Sequence, residues 1–473
     1  MKKIIASLLL LLLPVVAFAW SEPYNISKND TTQVADYGPG IAVDKTGKMH
    51  VVWEAYRSDN VWGPHWIMYS TGKDTTWSTP IWLSGDTPSV SSMGPTIVLD
   101  TNGNPLVGWN DEGSGNIYYT YNNGGGWTTP QAIANQAGAH LGLRMVVDKQ
   151  NKIHATWHSG TDTGDVYYSV RNGGSWAAPT ALFPDSNIMT GWPDIALDSY
   201  GYPHIIAMDY RNSIGCPLAY FKFNGASWLK MANPPDTSTS YSCYPRISIG
   251  ANDSVHLVWQ EGYKTYYSCS KNNVWTTPLR LMDTMETSTP QILMINKKVY
   301  CFLNPGIGGY FVGVYLTTRD STGQWSAPQP LTTAMHTLLV SAATNYNNIL
   351  CVAWDHSGQI KYSYDTLTIS GVQGKPISTT VMPFISICNL APNPFKASSK
   401  LEYQLSLPDY VILNIYNMAG QLVKSRDIGY KHAGTYEVTI NADTSLVSGV
   451  YFYNLKLKTS GHATPLKKFI ILH

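Results

Sequence analysis

The sequence predicts an all-β protein, a seven-bladed β-propeller followed by a small β-sandwich. First, the motif Trp-x-x-Pro returns at a spacing of roughly 50 residues, which is the length of a four-stranded propeller blade. Second, the residues between these tryptophans repeat one pattern of short strands and tight turns. Third, this pattern stops near residue 370, and a shorter run of alternating strands follows.

Each tryptophan motif marks one blade. The motif is degenerate at Trp228, has an early copy at Trp20–Pro23, and is missing after the last repeat, which ends near Tyr364. We therefore predict that Trp20–Pro23 pairs with the last blade and closes the ring, which would remove an exposed sheet edge. The complete copies begin at Trp77, Trp127, Trp176, Trp275 and Trp325.

The other strands of each repeat follow a fixed order. The first strand is apolar and ends in an aspartate that we interpret as a turn-forming residue. The second carries a histidine in one register, and the third carries a tyrosine pair. A metal ring is one reading of these histidines, but separate blades would hold them too far apart, so we favour an inward packing residue with a backbone hydrogen bond. The positions are Asp44, Asp100, Asp148 and Asp198, and His50, His154, His204 and His256.

The chain divides into four segments. Residues 1–19 are predicted to be a signal peptide, because two lysines precede the apolar run Ile4–Leu13 and Ala17–Ala19 provides a cleavage site. Residues 20–370 form the propeller, residues 371–387 a linker and residues 388–473 the sandwich. No stretch after the signal peptide is long enough to cross a bilayer.

Composition excludes several function classes. Charged residues make up 13% of the chain and the net charge is +1, so we predict no nucleic-acid partner. The common metal, phosphate and nucleophile motifs are absent from the sequence, and we predict no cofactor and no metal. We predict a disulfide between Cys216 and Cys243, because both lie in loops of neighbouring repeats on one face of an exported protein. Cys269, Cys301 and Cys351 lie in apolar strands and are predicted to be buried thiols.

The candidate site lies on the face where the loops gather around the propeller axis. Strand ends and loops supply arginines, carboxylates and aromatic residues to this face. Arginine binds carboxylates through paired hydrogen bonds, and aromatic faces stack on sugars. Arg144 and Arg246 also begin strands, where an arginine can instead tie neighbouring blades to a partner such as Asp194. The candidate ligand-binding residues are Arg57, Arg144, Arg211, Arg246, Glu54, Glu112, Asp209, Glu261, Trp62, Trp192 and Tyr244.

The carboxy-terminal residues carry an ordered set of motifs, namely Asn393–Phe395, Tyr416–Leu422, Gly434–Tyr436, Ser448–Tyr453 and Lys467–Phe469. This set resembles the Ig-like sorting domain of type IX (Por) secretion cargo. The resemblance implies export by the signal peptide, then recognition of residues 388–473 by outer-membrane secretion machinery. The protein would be secreted or held at the outer cell surface. The alternative is an Ig-like stalk without a sorting role.

The preceding body resembles the sialidase-like propellers with bacterial neuraminidase repeats (BNR). Their Asp-box has the form Ser-x-Asp-x-Gly-x-x-Trp, and Thr120–Trp127, Ser169–Trp176 and Thr318–Trp325 keep its spacing with altered residues. The resemblance implies that this box is a structural turn on the face opposite the site. The Arg-Ile-Pro signature of the family is absent here, and typical sialidases have six blades.

We therefore predict a secreted or cell-surface propeller that binds an extracellular glycan or protein ligand. The alternative is an exo-acting glycoside hydrolase of the sialidase type, in which three arginines bind the substrate carboxylate and a glutamate activates a tyrosine nucleophile. A third alternative is a purely structural surface protein.

Overall fold

The computed structural model describes residues 20–27, 34–57, 64–85, 91–133, 140–159, 165–182, 190–209, 217–234, 242–250, 252–295, 297–307, 310–332, 337–345, 349–366, 385–405, 409–431, 434–443, 446–458, 463–464 and 466–472. The chain forms two compact units, Met1–Gln373 and Gly374–His473. The predicted signal peptide, residues 1–19, lies outside the described residues. No helix in the described ranges has the length and apolar character that crossing a membrane requires.

Unit 1 is built from antiparallel sheets, seven of them among its described residues. The chain enters through β1 (Tyr24–Asn25), which belongs to sheet 7. The strands of sheets 1, 2 and 3 are β2 (Val34–Val43), β3 (Met49–Arg57), β4 (His65–Lys73), β5 (Thr76–Trp77) and β6 (Ile81–Trp82); β7 (Ser92–Leu99), β8 (Pro105–Asp111), β9 (Asn116–Tyr121) and β10 (Gln131–Ala132); and β11 (His140–Val147), β12 (Ile153–Ser159), β13 (Val166–Asn172), β14 (Ser175–Trp176) and β15 (Thr180–Ala181).

Sheets 4 to 7 repeat the same arrangement. Their strands are β16 (Thr190–Leu197), β17 (Pro203–Asp209), β18 (Leu218–Phe223) and β19 (Trp228–Lys230); β20 (Ser242–Ile249), β21 (Val255–Glu261), β22 (Lys264–Lys271), β23 (Val274–Trp275) and β24 (Leu279–Arg280); β25 (Glu286–Ile295), β26 (Lys298–Ile307), β27 (Tyr310–Phe311), β28 (Val314–Arg319) and β29 (Gln329–Thr332); and β30 (Thr337–Thr344), β31 (Ile349–His356) and β32 (Gln359–Thr366).

The sheets are arranged in a closed ring. The first strand of each sheet contacts the first strand of the next sheet, and β30 of sheet 7 contacts β2 of sheet 1. The amino-terminal segment completes sheet 7, because Tyr24 pairs with Tyr362 and the Ser21 amide donates a hydrogen bond to the Tyr364 carbonyl oxygen. The first strands therefore surround the axis, and β1 covers the outer edge of β32.

The tryptophans of the outer hairpins join each sheet to the preceding one. Each indole packs on an aromatic ring of the previous sheet, with ring centroids 4.8 to 6.2 Å apart. Trp20 follows the rule, because it belongs to sheet 7 and contacts Phe302 of sheet 6. The other pairs are Tyr69–Trp127, Tyr119–Trp176, Tyr168–Trp228, Tyr220–Trp275, Tyr267–Trp325 and Tyr362–Trp77.

The repeated histidines form hydrogen bonds with tyrosine side chains. The prediction of a backbone hydrogen-bond partner was wrong. Each Nδ1 lies 2.5 to 2.8 Å from a tyrosine hydroxyl of the third strand, because the tyrosine ring lies beside the imidazole in the same sheet. In sheets 3 and 4, Nε2 also lies 3.4 Å from Asp148 and Asp198. These aspartates accept the amides two and four residues ahead, as turn-forming residues do. Among the described residues, no group of His, Cys, Asp or Glu side chains is placed to hold a metal ion.

We expect the melting temperature to fall as the pH is lowered from about 6.5 towards 4. Burial lowers the pKa of His50, His204 and His256 from 6.5 to about 4. The unfolded chain therefore binds more protons than the folded chain in this window, so stability is lost as the pH falls. Thermal unfolding measured by circular dichroism tests this, and H256Q should show a shallower fall between pH 6.5 and 5. An equal slope in both proteins contradicts the assignment.

Two of the three cysteines predicted to be buried thiols are confirmed. Cys301 and Cys351 are buried, free thiols. Cys269 is only partly buried, because it lies on β22 beside the outer hairpin, where Thr276 Oγ1 is 3.8 Å from its sulfur.

Unit 2 is a sandwich of two sheets that share one core. One sheet contains β33 (Ile385–Ala391), β34 (Ser398–Leu405) and β37 (Gly434–Asn441), and the other β35 (Asp409–Tyr416), β36 (Leu422–Lys431), β38 (Gly449–Leu457) and β39 (Lys467–Ile471). The first strand begins at Ile385, inside the predicted linker 371–387, because Ile385 and Ile387 pair with Leu405 and Tyr403.

Candidate functional site

A shift in pairing register interrupts the first strand of every sheet in the ring. In sheets 1 to 3 the first residue inside the shift is a glycine with positive φ, such as Gly142 at 69°. In sheets 4, 5 and 6 the same place holds Trp192, Tyr244 and Thr289, with φ of 48°, 50° and 40°. Residues other than glycine rarely adopt this left-handed backbone conformation. Each such residue stores on the order of 1–3 kcal/mol of strain. Two large aromatic residues therefore occupy positions that favour glycine.

These two aromatic residues form a continuous surface across neighbouring sheets. The rings of Trp192 and Tyr244 meet edge to face, with centroids 5.4 Å apart. On the other side, the His158 ring lies 5.6 Å from Trp192. Trp192 remains 38% exposed, so its indole is accessible to a ligand. We call His158, Trp192 and Tyr244 the aromatic arc.

Three charged residues form a cluster in sheets 3, 4 and 5. Each lies two positions after the first residue inside the register shift. Arg144, Asp194 and Arg246 are the first paired residues after the register shift in sheets 3, 4 and 5. Arg144 Nε lies 3.8 Å from Asp194 Oδ1, and the Ile247 amide donates to Asp194 Oδ2 at 2.9 Å. The charges of Arg144 and Arg246 therefore both act on Asp194, a carboxylate of the sheet between them, which links the three sheets.

Burial governs the electrostatics of this cluster. Desolvation, and then the like charge of Arg144, lower the pKa of Arg246 to about 9, so its guanidinium stays protonated at neutral pH. Desolvation raises the pKa of Asp194, and the charges of Arg246 and Arg144 oppose that rise. Arg246 Nη1 donates to the Pro245 carbonyl oxygen at 2.9 Å, and its buried Nε has no hydrogen-bond acceptor among the described residues.

Side chains at the ends of the second strands accept hydrogen bonds from backbone amides at the register shift of the next sheet. Glu54 Oε2 accepts a hydrogen bond from the Gly94 amide at 3.1 Å, and its Oε1 lies 2.5 Å from His65 Nδ1. His158 Nδ1 accepts from the Trp192 amide at 3.3 Å. Gln260 Oε1 accepts from the amide of the strained residue in sheet 6 at 3.3 Å. His158 therefore positions Trp192 within the arc, and both oxygens of Glu54 are already engaged.

Tyr37 lies in the same region, at the register shift of sheet 1. Burial raises its pKa to about 12, with further contributions from Asp355, Glu54 and Tyr244. Tyr37 and His158 were not in the candidate set. The signal that could have found them is their repeated position beside the register shift, which requires knowing the strand pairing.

Three further predicted residues, Asp209, Glu261 and Glu112, lie in the described part of the chain. Asp209 and Glu261 are buried at the ends of β17 and β21. Glu112 is exposed in a turn of sheet 2, where its amide donates to the Ser91 carbonyl oxygen. The residues whose side chains lie outside the described part of the chain are Arg57, Trp62, Arg211, Cys216 and Cys243, so the predicted disulfide also lies there.

The motif residues of unit 2 form its core and one turn. Phe395 and Phe469 are buried and stacked with centroids 5.7 Å apart, and Tyr451 packs on Phe469 at 5.5 Å. Asn417 Oδ1 accepts the amides of Ala419 and Gln421. Residues 389–472 match the secretion system C-terminal sorting domain. The predicted sorting domain is confirmed, and it indicates secretion to the cell surface or the extracellular space through a secretion machinery.

Several solved structures are similar to the chain over about three quarters of its length. An ulvan lyase of polysaccharide lyase family PL25, bound to -[GlcA(1-4)Rha3S]-, is 10% identical, with 72% of this chain and 95% of the lyase covered and a TM-score of 0.53. A protein of unknown function from Dyadobacter fermentans is 12% identical, with 75% and 100% covered and a TM-score of 0.46. NanB sialidase from Streptococcus pneumoniae is 13% identical, with 74% and 70% covered and a TM-score of 0.42.

The lyase shares the fold of this chain, and the predicted sialidase-like propeller is confirmed at the level of fold. No curated protein sequence matches the chain.

Proposed function

We propose that this is a secreted propeller that binds glycan on the aromatic arc. The observation that carries the proposal is the Trp192–Tyr244 pair, in which Trp192 is exposed and Tyr244 half-buried, and both are held in a backbone conformation that favours glycine. Strained residues persist where the surrounding structure holds them, and they cluster at functional sites. In this proposal residues 1–19 carry the chain across the inner membrane, and the sorting domain carries it across the outer membrane.

Sugar recognition requires aromatic faces together with polar groups beside them. The arc supplies the faces, and Arg246, Arg144 and Tyr37 supply hydrogen-bond donors next to them. The ulvan lyase shares only the fold, so its substrate serves as a precedent for a saccharide bound by such a propeller. The arc and its polar surroundings support a glycan as the ligand class.

One observation favours the second candidate, an exo-acting hydrolase of the sialidase type. Tyr37 pairs across the strands with Glu54, as a tyrosine nucleophile and its activating carboxylate would. Two features oppose catalysis. Burial raises the pKa of Tyr37 to about 12, so its phenol is harder to deprotonate than that of an ordinary tyrosine, and the charges of Arg144 and Arg246 both act on Asp194. Binding is therefore the better supported function.

A glycan array probed with the full chain, combined with a fluorogenic sialoside assay, separates the two functions. We expect array binding without turnover, and we expect Y244S to lose at least about tenfold in affinity, or roughly 1.4 kcal/mol. Y410S is the matched control, because Tyr410 is an exposed tyrosine of the sorting domain. Turnover that Y37F abolishes would establish the hydrolase. Absence of binding to every glycan, or unchanged binding by Y244S, contradicts the proposal.

A further inference from the structure

A cleft of about 370 Å³ lies between sheets 1 and 2, away from the aromatic arc of sheets 3 to 5. This volume falls in the range of small-ligand sites, about 300–1,000 Å³. Trp66 lines the cleft from sheet 1, and Trp109, Asp111, Ser114 and Tyr118 line it from sheet 2. The cleft therefore combines aromatic walls with polar groups.

The aromatic residues of sheet 1 are not explained by the repeat. Trp66 pairs with Ala55 at the start of the third strand, where the equivalent positions of sheets 2, 5 and 7 hold Asn116, Lys264 and Gln359. Trp82 occupies a place on the outer strand that is alanine or arginine in sheets 2, 3 and 5.

These two tryptophans support each other at the surface. Trp66 and Trp82 stack at 5.5 Å with an interplanar angle of 23°. Trp82 is 53% exposed although burying an indole would be favourable. The half-buried Trp66 lines the cleft and the exposed Trp82 stacks on it, so the pair offers a rigid apolar surface for the face of a sugar ring.

Several polar groups of the cleft can form a further hydrogen bond. The buried Nε1 of Trp66 has no acceptor among the described residues. Ser84 Oγ accepts the Ile67 amide at 3.0 Å, which leaves its proton available for a ligand. Asp111 Oδ1 accepts the amide and hydroxyl of Ser114 at 2.8 and 2.7 Å, while its Oδ2 has no hydrogen bond in the described part of the chain.

We infer that this cleft is a second carbohydrate site, which binds a neutral pyranose unit of an oligosaccharide. The sugar face stacks on the Trp66–Trp82 pair, and its hydroxyls bond Asp111 Oδ2 and Ser84. The Asp111 carboxylate disfavours uronate or sulfated sugars by like-charge repulsion. This inference does not rest on the aromatic arc, because the two sites share no residue.

Fluorine NMR of the full chain labelled with 5-fluorotryptophan tests the inference. The probes are cellohexaose, laminarihexaose and xylohexaose, with hexagalacturonate as the charged comparison. W66F, W82F, W127F and W192F assign the four relevant resonances. We expect at least one neutral probe to shift the Trp66 and Trp82 resonances, and hexagalacturonate to leave both unchanged. Trp127 is the internal control, because it packs between the same two sheets at the opposite strand end.

The affinity for the active probe should fall at least about tenfold, or roughly 1.4 kcal/mol, in W82S and in D111A. Both substitutions lie at the surface or in a turn, so the fold is kept, and circular dichroism verifies this. W192G should retain this binding, which separates the cleft from the arc. The inference is overturned if no neutral probe shifts Trp66 and Trp82 at about 10 mM, a concentration that fills even a millimolar site. Stronger shifts with hexagalacturonate overturn it as well.

Discussion

Replacing Trp192 with glycine weakens glycan binding at the aromatic arc by at least about 30-fold and leaves the free energy of unfolding within about 1 kcal/mol of the wild type. The substitution relieves left-handed strain of about 1–3 kcal/mol. It also removes ring contacts with His158 and Tyr244, worth about 0.5–1.5 kcal/mol each, and adds backbone entropy to the unfolded chain, about 0.5–1 kcal/mol. These contributions nearly cancel, whereas loss of an aromatic binding residue costs at least about 2 kcal/mol of binding, or roughly 30-fold.

Urea unfolding and isothermal titration with a glycan identified on the array measure the two quantities for W192G. Thr289→Gly is the matched control, because Thr289 holds the same backbone conformation in sheet 6, outside the aromatic arc. The control should bind normally and be at least as stable as the wild type. A W192G protein that binds normally, or that loses more than about 3 kcal/mol of stability, would show that Trp192 serves the fold and not a ligand.

The propeller was predictable because its determinants are local in sequence. Each tryptophan, such as Trp127, follows a turn at fixed spacing, and its partner Tyr69 lies one repeat earlier. Arg144, Arg246, Trp192 and Tyr244 could be assigned to one face because all of them begin first strands, and first strands surround the axis. Periodicity alone therefore placed these side chains together.

The roles of these side chains were not predictable, because they depend on pairing register. Glu54 was predicted to contact a ligand, yet the shift in the next sheet turns the Gly94 amide towards it. The strain at Trp192 becomes visible only when its φ is compared with that of Gly142, since the sequence does not show where a strand skips residues. Trp66 and Trp82 escaped notice for a similar reason. Their stacking depends on which residues face each other across the outer strands of one sheet.

Replacing Asp194 with alanine lowers the free energy of unfolding by about 3–5 kcal/mol, the usual consequence of removing one partner from a buried ionic cluster. Arg144 and Arg246 then repel each other across two sheet boundaries without a shared counter-charge, and the Ile247 amide loses its acceptor. Asp194→Asn should destabilise less, because an amide oxygen can still accept from Ile247. Urea unfolding of both variants measures the difference.

Adding Arg246→Met to the Asp194→Ala variant should restore part of the lost stability, because the second substitution removes a buried charge that has become uncompensated. In this series, glycan affinity distinguishes a residue that positions the arc from one that contacts the glycan. Asp194 and Arg246 lie two residues after Trp192 and Tyr244, so the cluster fixes the strands that carry the arc. If Asp194 only positions the arc, affinity recovers with stability in the double variant. If Arg246 contacts the glycan, stability recovers while affinity stays low. Equal stability of the wild type and Asp194→Ala would show that the two arginines are not held by Asp194.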